Sequence, residues 1–443
     1  MGGSCDASIS CEFNFTRGAE VAFDADPDIA GIGVIVSFFI TAWLAYAIAI
    51  FTYVLLEGVL DENYLFTTRF DVEMHTMFKS LFQNTSFSNT LLKIRKQVSR
   101  DLMKKVCLMF CDQQLITGAS VLIVGYSKHC DITQYHFYIA ANLGMACFAT
   151  FQALLPICGS ELHDELRKGW RMAWISAIFA CVLALNFVIY NDYFLATKHF
   201  GLSMNCVWKE LPGYFTPQLM PYVVIGTLFD VWSYFSITMY LYPAIMETRP
   251  VAYLYGKWLS FMMVPTWFYL QVKEYSTSRK PKFLWLLVEA LAGLVFVIIF
   301  TVRELLGSLS VDLVRVFFYL IQSTNSVAWA RQKAESNGRK GSEDTWGFGQ
   351  ILPMLLLALP TLAFIEALAH RELKSINELT GSTTPAFPIF TTLWDQPCQD
   401  KIDEYEDSMY SKVLFKVWLC LVMLSLHVAI VFLAFRLPEG VPI

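Results

Sequence analysis

Residues 30–56 read AGIGVIVSFFITAWLAYAIAIFTYVLL, a stretch without one charged side chain. A helix needs about 20 consecutive apolar residues to cross a bilayer core of roughly 30 Å, and this segment exceeds that length. Asp26 and Asp28 precede it, placing negative charge where the dipole of a helix N-terminus favours it. Gly31 and Gly33 at its start let a neighbouring backbone come close, as small residues do in membranes. The segment predicts a membrane-spanning helix, and the rest of the chain repeats the pattern. Runs 106–126, 133–157, 172–196, 218–246, 283–302, 349–369 and 413–435 are similarly long and apolar. Two others, 251–272 with Lys257 and Pro265, and 311–330 with Asp312 and Arg315, either span or lie at the interface.

The composition agrees. Over 443 residues, 56% are hydrophobic, 15% aromatic and only 16% charged, with a mean hydropathy of +0.47, which excludes a set of ordinary soluble domains. A net charge of −5 gives no basic surface for nucleic acid. No basic region followed by an apolar stretch opens the chain, so the first helix is expected to act as the targeting signal. Myristoylation at Gly2 is excluded by Asp6, where Ser or Thr is required. The expected fold is all-α, a polytopic transmembrane helical bundle of about nine spans in a range of roughly eight to ten. Its parts are an extracytosolic tail 1–29, the bundle 30–435 and a cytosolic tail 436–443.

Sidedness follows from charge, because Lys and Arg concentrate in cytosolic loops. With the N-terminus outside, 251–272 on the cytosolic side and 311–330 spanning, the inner segments are 57–105, 158–171, 247–282, 331–348 and 436–443. They hold 22 of the 33 Lys and Arg. The outer segments 1–29, 127–132, 197–217, 303–310 and 370–411 hold 8. All five cysteines away from helix ends, Cys5, Cys11, Cys130, Cys206 and Cys398, then fall outside, where an oxidising compartment favours disulfides. The sequon Asn14-Phe15-Thr16 shares that side and is the expected glycosylation site, while Asn84-Thr85-Ser86 faces the cytosol and should be silent. The basic amphipathic stretch Leu91–Lys105 reads as a positive-inside anchor in preference to a docking site for anionic lipid or a partner. The acidic outer loop 370–411 is either a lid or a connector.

Ionisable and amide groups inside the spans are the candidates for chemistry, since a charge at mid-bilayer costs about 2.5–3.5 kcal/mol or more. Asp112, Gln114, Gln152, Asp230, Glu289 and His427 form the candidate polar cavity, with Gln113 and Gln350 at similar depth to Asp112 near the cytosolic side. The apolar runs offer no Lys or Arg at matching depth, so these acids are expected to be protonated, amide-bonded or cation-binding. Either they line a cavity that binds a small molecule or moves a proton, or each fixes helix register through a neighbouring Gln or Thr. Glu366 and His370, four residues apart, read as an interfacial cap, and His136 as a packed interfacial residue; no metal site and no cofactor is expected. Phosphate loops, nucleophile elbows, His-rich di-iron boxes and Asp-rich diphosphate motifs are all missing from the sequence. The leading expectation is a ligand-binding, receptor-like sensor or accessory factor whose partners are the lipid bilayer and a small apolar ligand. A membrane-embedded enzyme acting on a lipid or terpenoid comes second, and a transporter third, since no inverted repeat is evident.

Four short stretches add a resemblance: Asp28-Ile-Ala-Gly-Ile-Gly-Val34, Asp112-Gln-Gln-Leu-Ile-Thr-Gly118, Gln134-Tyr-His-Phe137 and Trp346-Gly-Phe-Gly-Gln-Ile-Leu-Pro353. Together and in this order they resemble a large group of multi-pass membrane proteins of filamentous fungi that are mostly uncharacterised. The resemblance implies a fungal source and a shared helical fold over most of the chain, and it carries no reaction.

Overall fold

The computed structural model describes residues 21–55, 68–83, 100–158, 165–189, 200–210, 220–242, 245, 248–278, 283–358, 362, 409 and 413–436. These residues are overwhelmingly helical. In chain order the elements are β1 (Phe23–Asp24), α1 (Pro27–Ala30), α2 (Ile32–Leu55), α3 (Arg69–Gln83), α4 (Arg100–Ser127), α5 (Gln134–Cys158) and α6 (Glu165–Ile189). There follow α7 (Met204–Glu210), α8 (Met220–Leu241), α9 (Arg249–Ser278), α10 (Phe283–Leu306), α11 (Leu309–Ser336), β2 (Arg339–Lys340), α12 (Phe348–Leu356) and α13 (Val413–Arg436).

Helix α5 is the axis of the bundle. It is buried almost throughout and packs chiefly on α4, α11 and α2. Its sequence explains the position: Ala140, Ala141, Gly144, Ala146, Ala149 and Ala153 leave little side chain between backbones, so neighbours approach from every direction. Against α4 there is no room for more: a Cβ on Gly118 would stand 2.7 Å from that of Cys147, and one on Gly144 2.6 Å from Leu122 Cγ. Helices α8 and α6 pair beside this core, and α9 pairs with α10. A second apolar cluster joins Phe70 and Met74 of α3 to Phe296 and Phe300 of α10 and Leu419 of α13.

Four of these helices are long and apolar enough to cross a membrane: Pro27–Val54, Leu102–Ser127, Gln134–Cys158 and Lys168–Leu185. A fifth arises if the bent pair Leu287–Leu305 and Leu309–Ser336, which turn by 70° at Gly307–Ser308, counts as one span. Among the described residues that is fewer than the nine expected. The stretch 251–272 lies within one continuous helix, α9, running through Lys257 and Pro265, and 311–330 lies within α11.

The contacts also overturn the charge-derived sidedness. Strand β1 pairs in parallel with β2, Phe23 opposite Arg339 and Asp24 opposite Lys340, although 1–29 and 331–348 were expected on opposite faces. Asp71 bonds Ser308, Leu309 and Ser310, joining a segment expected inside to one expected outside. Glu73 pairs with Lys416 of α13 at 2.5 Å, again joining the two faces. The physical reason lies in α11: it runs from the Asp71 end of the bundle to the β1 end, so the loop after it shares the face of the N-terminal tail. Loops 128–134 and 200–206 are held together by Gln134 N–H to Leu202 O at 2.7 Å and Met204 N–H to Ile132 O at 2.9 Å, in keeping with a common side for those two.

Candidate functional site

The residues expected to share a cavity are spread over five helices: Asp112 and Gln114 on α4, Gln152 on α5, Asp230 on α8, Glu289 on α10 and His427 on α13. Glu289 sits on the helix that packs against α9, whereas Asp112 sits on one that packs against α5 and α6, so these two acids belong to different interfaces. The expectation that Asp112 lacks a cation is wrong. Arg171 grips it with both ends of the guanidinium, Nε to Oδ1 at 2.7 Å and Nη2 to Oδ2 at 2.6 Å, and lies 4.6 Å from the Trp170 ring centroid. Arg171 escaped notice because it was assigned to a loop ending at 171. Helix α6 starts at Glu165, which brings the arginine into the bundle, where it is 4% exposed. Next to it, Gln113 donates from Nε2 to the Leu356 carbonyl at 3.2 Å. Gln114 is buried, and its Oε1 has no hydrogen-bond partner among the described residues. Gln152 is buried on α5.

Two further networks lie outside the candidate cavity. The first centres on Asp71, fully buried at the start of α3. Its Oδ1 accepts from Ser308 Oγ at 2.7 Å, Ser310 N–H at 2.8 Å and Ser310 Oγ at 2.6 Å; Oδ2 accepts from Leu309 N–H and Thr68 N–H, both at 3.1 Å, and from Thr68 Oγ1 at 3.2 Å. A carboxylate thus closes the exposed amides at the N-terminus of α11, where the helix dipole favours negative charge. Tyr53 at the end of α2 seals the site, 2.6 Å from Ser310 Oγ.

The second network lies at the opposite end of α11 and brings together three of the four stretches that carried the resemblance. Glu343, fully buried, accepts at Oε2 from Tyr135 OH at 2.8 Å and Arg339 Nη1 at 2.7 Å, with Arg331 Nε 3.5 Å away. Arg331 also pairs with Asp344, and Arg339 with Glu335. Burial alone would lower the Arg339 pKa, but the Glu343 carboxylate and the Tyr135 phenol outweigh it and hold the guanidinium more firmly charged. Gln350 ties the loop to α2: it accepts from Gly33 N–H at 2.9 Å and donates to the carbonyls of Thr345 at 2.7 Å and Glu343 at 3.3 Å. A Cβ on Gly33 would come within 2.8 Å of Gln350 Cβ, so this position has no room for a side chain. Gln350 was expected near the cytosolic face and instead meets the N-terminal end of α2. His136, expected to be a packed residue, is buried and hydrogen-bonded, Nε2 accepting from Asp26 N–H at 3.1 Å and Nδ1 lying 2.7 Å from Thr133 Oγ1. Recurrence of polar residues in short motifs was the one sequence signal for this network; the pairing of a helix-start Asp-Gly segment with a Gln 317 residues away was not readable.

Cys130 and Cys206 are both disulfide-bonded, and Cys107, Cys111, Cys147, Cys158, Cys181 and Cys420 are free thiols. Cys5, Cys11, Cys398 and the sequon at Asn14 lie outside the described residues, as do Glu366 and His370. No group of three His, Cys, Asp or Glu able to hold a metal occurs among the described residues.

No known family's sequence model matches the chain, and no solved structure matches it. A stretch of 118 residues is 25% identical to the elsinochromes biosynthesis cluster protein HP3 of Elsinoe fawcettii, covering 27% of this chain and 41% of that protein. The chain thus matches about two-fifths of the relative's length, in keeping with a fungal origin.

Proposed function

We propose that the chain is a multi-pass membrane protein of a fungal biosynthetic setting that binds a small apolar ligand as a receptor-like sensor or accessory factor. The observation that carries the non-catalytic part is the state of three of its acids. Asp112 is neutralised by Arg171, Asp71 closes a helix end and Glu343 is held by an arginine and a tyrosine. Acids occupied in this way anchor helices, which weakens the support that Asp112 gave to an enzyme acting on a lipid or terpenoid. The biosynthetic setting draws on the relative's name. Transport draws some support from the 70° break between α10 and α11, since transporters use interrupted helices.

In this reading the face shared by residues 21–29, 128–134, 200–206 and 337–348 is extracytosolic. The disulfide-bonded Cys130 and Cys206 support it. The end of α11 and the loop after it bring Arg331, Lys333, Arg339 and Lys340 to that face, so the charge bias weakens and the cysteines carry the orientation.

The test is deletion of the gene in its host with metabolite profiling of cells and medium, beside incubation of purified protein with any accumulated compound. A changed product level, with binding but no conversion, is expected. Conversion by the purified protein would overturn the reading in favour of an enzyme, and product retained inside cells would overturn it in favour of a transporter.

A further inference from the structure

His136 stands between two partners and can satisfy only one. Its Nε2 accepts the backbone N–H of Asp26 at 3.1 Å, which requires a lone pair there, so the ring proton sits on Nδ1 and goes to Thr133 Oγ1 at 2.7 Å. Glu343 Oε1 lies 3.5 Å from the same Nε2. That oxygen is buried and has no hydrogen-bond donor among the described residues, whereas Oε2 has two. A buried carboxylate oxygen without a donor is costly, and a proton on Nε2 would supply one. The same proton would turn the ring N–H against the Asp26 N–H.

The Asp26 amide belongs to a latch. Phe23 N–H and Ala25 N–H bond the carbonyls of Gly338 and Lys340 at 3.2 and 2.8 Å, and the Asp26 side chain caps α1 through Asp28 N–H. The Phe23 ring stands edge-on to His136 at 5.8 Å. We propose that protonation of His136 is a switch: the neutral ring holds segment 21–31 against loop 337–343, and the charged ring turns to Glu343 and lets that segment go. The ionisable groups of the elements packed around the ring are as follows. From the tail come Asp26 and Asp28, from the loop Glu343, Asp344, Arg339 and Lys340, from α11 Glu335 and Arg331, and from α5 itself the Tyr135 phenol. Under the orientation proposed above, the switch reads the pH of the extracytosolic compartment; the latch itself does not depend on that orientation.

The experiment is hydrogen–deuterium exchange of the purified full-length protein in detergent, corrected for intrinsic rates, across the range in which histidine takes up a proton, from about pH 8 to about pH 5. Protection of peptides covering 21–31 is expected to fall about tenfold or more while α5 and α2 keep theirs, and His136→Gln, whose amide oxygen can still accept the Asp26 N–H, should keep its protection at every pH. Unchanged protection in the wild type, an equal loss in His136→Gln, or a loss shared by α5 would each overturn the proposal. Should His136→Gln fail to fold, Glu343→Gln serves: it leaves the histidine in place, and its midpoint is expected at lower pH. An unmoved midpoint would overturn the switch.

Discussion

Replacing Asp71 by Asn tests the best-connected buried group in the molecule. Each carboxylate oxygen accepts at least one backbone N–H, Ser310 at Oδ1 and Leu309 and Thr68 at Oδ2. An amide therefore cannot be oriented without pointing its NH2 at a backbone donor, even though the serine and threonine hydroxyls can rotate to adapt. A buried donor left unsatisfied costs about 1–3 kcal/mol, and bonds to a charged acceptor contribute about 1.5–3 kcal/mol. A destabilisation of about 2–4 kcal/mol is expected for Asp71→Asn. Glu73→Gln, two residues along α3, is the control: its ion pair with Lys416 is a third exposed, so it should cost less than about 1 kcal/mol. The assay is unfolding of the detergent-purified protein by titration with a denaturing detergent, followed by circular dichroism. If Asp71→Asn falls within about 0.5 kcal/mol of the wild type, a range typical of surface changes, the capping argument is refuted.

A double-mutant cycle on Asp112→Asn and Arg171→Gln should show coupling of about 1–3 kcal/mol, reduced from the value for a fully buried pair because Asp112 is partly exposed; strictly additive losses would sink the pairing. Gly33→Ala, which forces a Cβ against Gln350, is expected to cost about 1–3 kcal/mol in the same unfolding assay, and a variant as stable as the wild type would contradict the close approach. Without reductant, alkylation followed by peptide mapping should leave Cys130 and Cys206 unlabelled, whereas labelling of both would remove the support for their extracytosolic face.

Most of the helices were legible in the sequence because their signal is local. Residues 30–56, 106–126 and 133–157 declare themselves by length and apolarity, and α2, α4 and α5 follow them within a few residues, α4 starting earlier at Arg100. What failed depended on partners distant in sequence. Arg171 looked like a loop cation because its helix begins six residues earlier, and nothing local tells that its side chain turns inward to Asp112. Asp71 lay in a segment read only as a charged loop, since the amides it caps are more than 230 residues away. The sidedness erred for a related reason: a count of Lys and Arg treats loop 331–348 as basic, whereas Arg331 and Arg339 are spent on Glu335, Glu343 and Asp344 within it and beside it. The resemblance motifs pointed to a real place, three of them converging around Gln350 and Glu343, though their spacing gave no sign of it.

The pairing of β1 with β2 sets an order of assembly. Phe23 and Ala25 are synthesised before α2, yet the carbonyls that accept from their amides, those of Gly338 and Lys340, come more than 300 residues later. At a synthesis rate of roughly 5–20 residues per second, the segment waits tens of seconds for those carbonyls, while Tyr135 and His136 of α5 are already there to receive the Phe23 ring and the Asp26 amide. Closure of the two-strand pair is therefore among the last events of biogenesis and depends on α11 having carried its far end to the correct face. A chain truncated before Gly338 would retain the α4–α5 core and the Asp26 contact with His136 but leave the Phe23 and Ala25 amides without their carbonyl partners, a difference that distinguishes unfinished copies from complete ones.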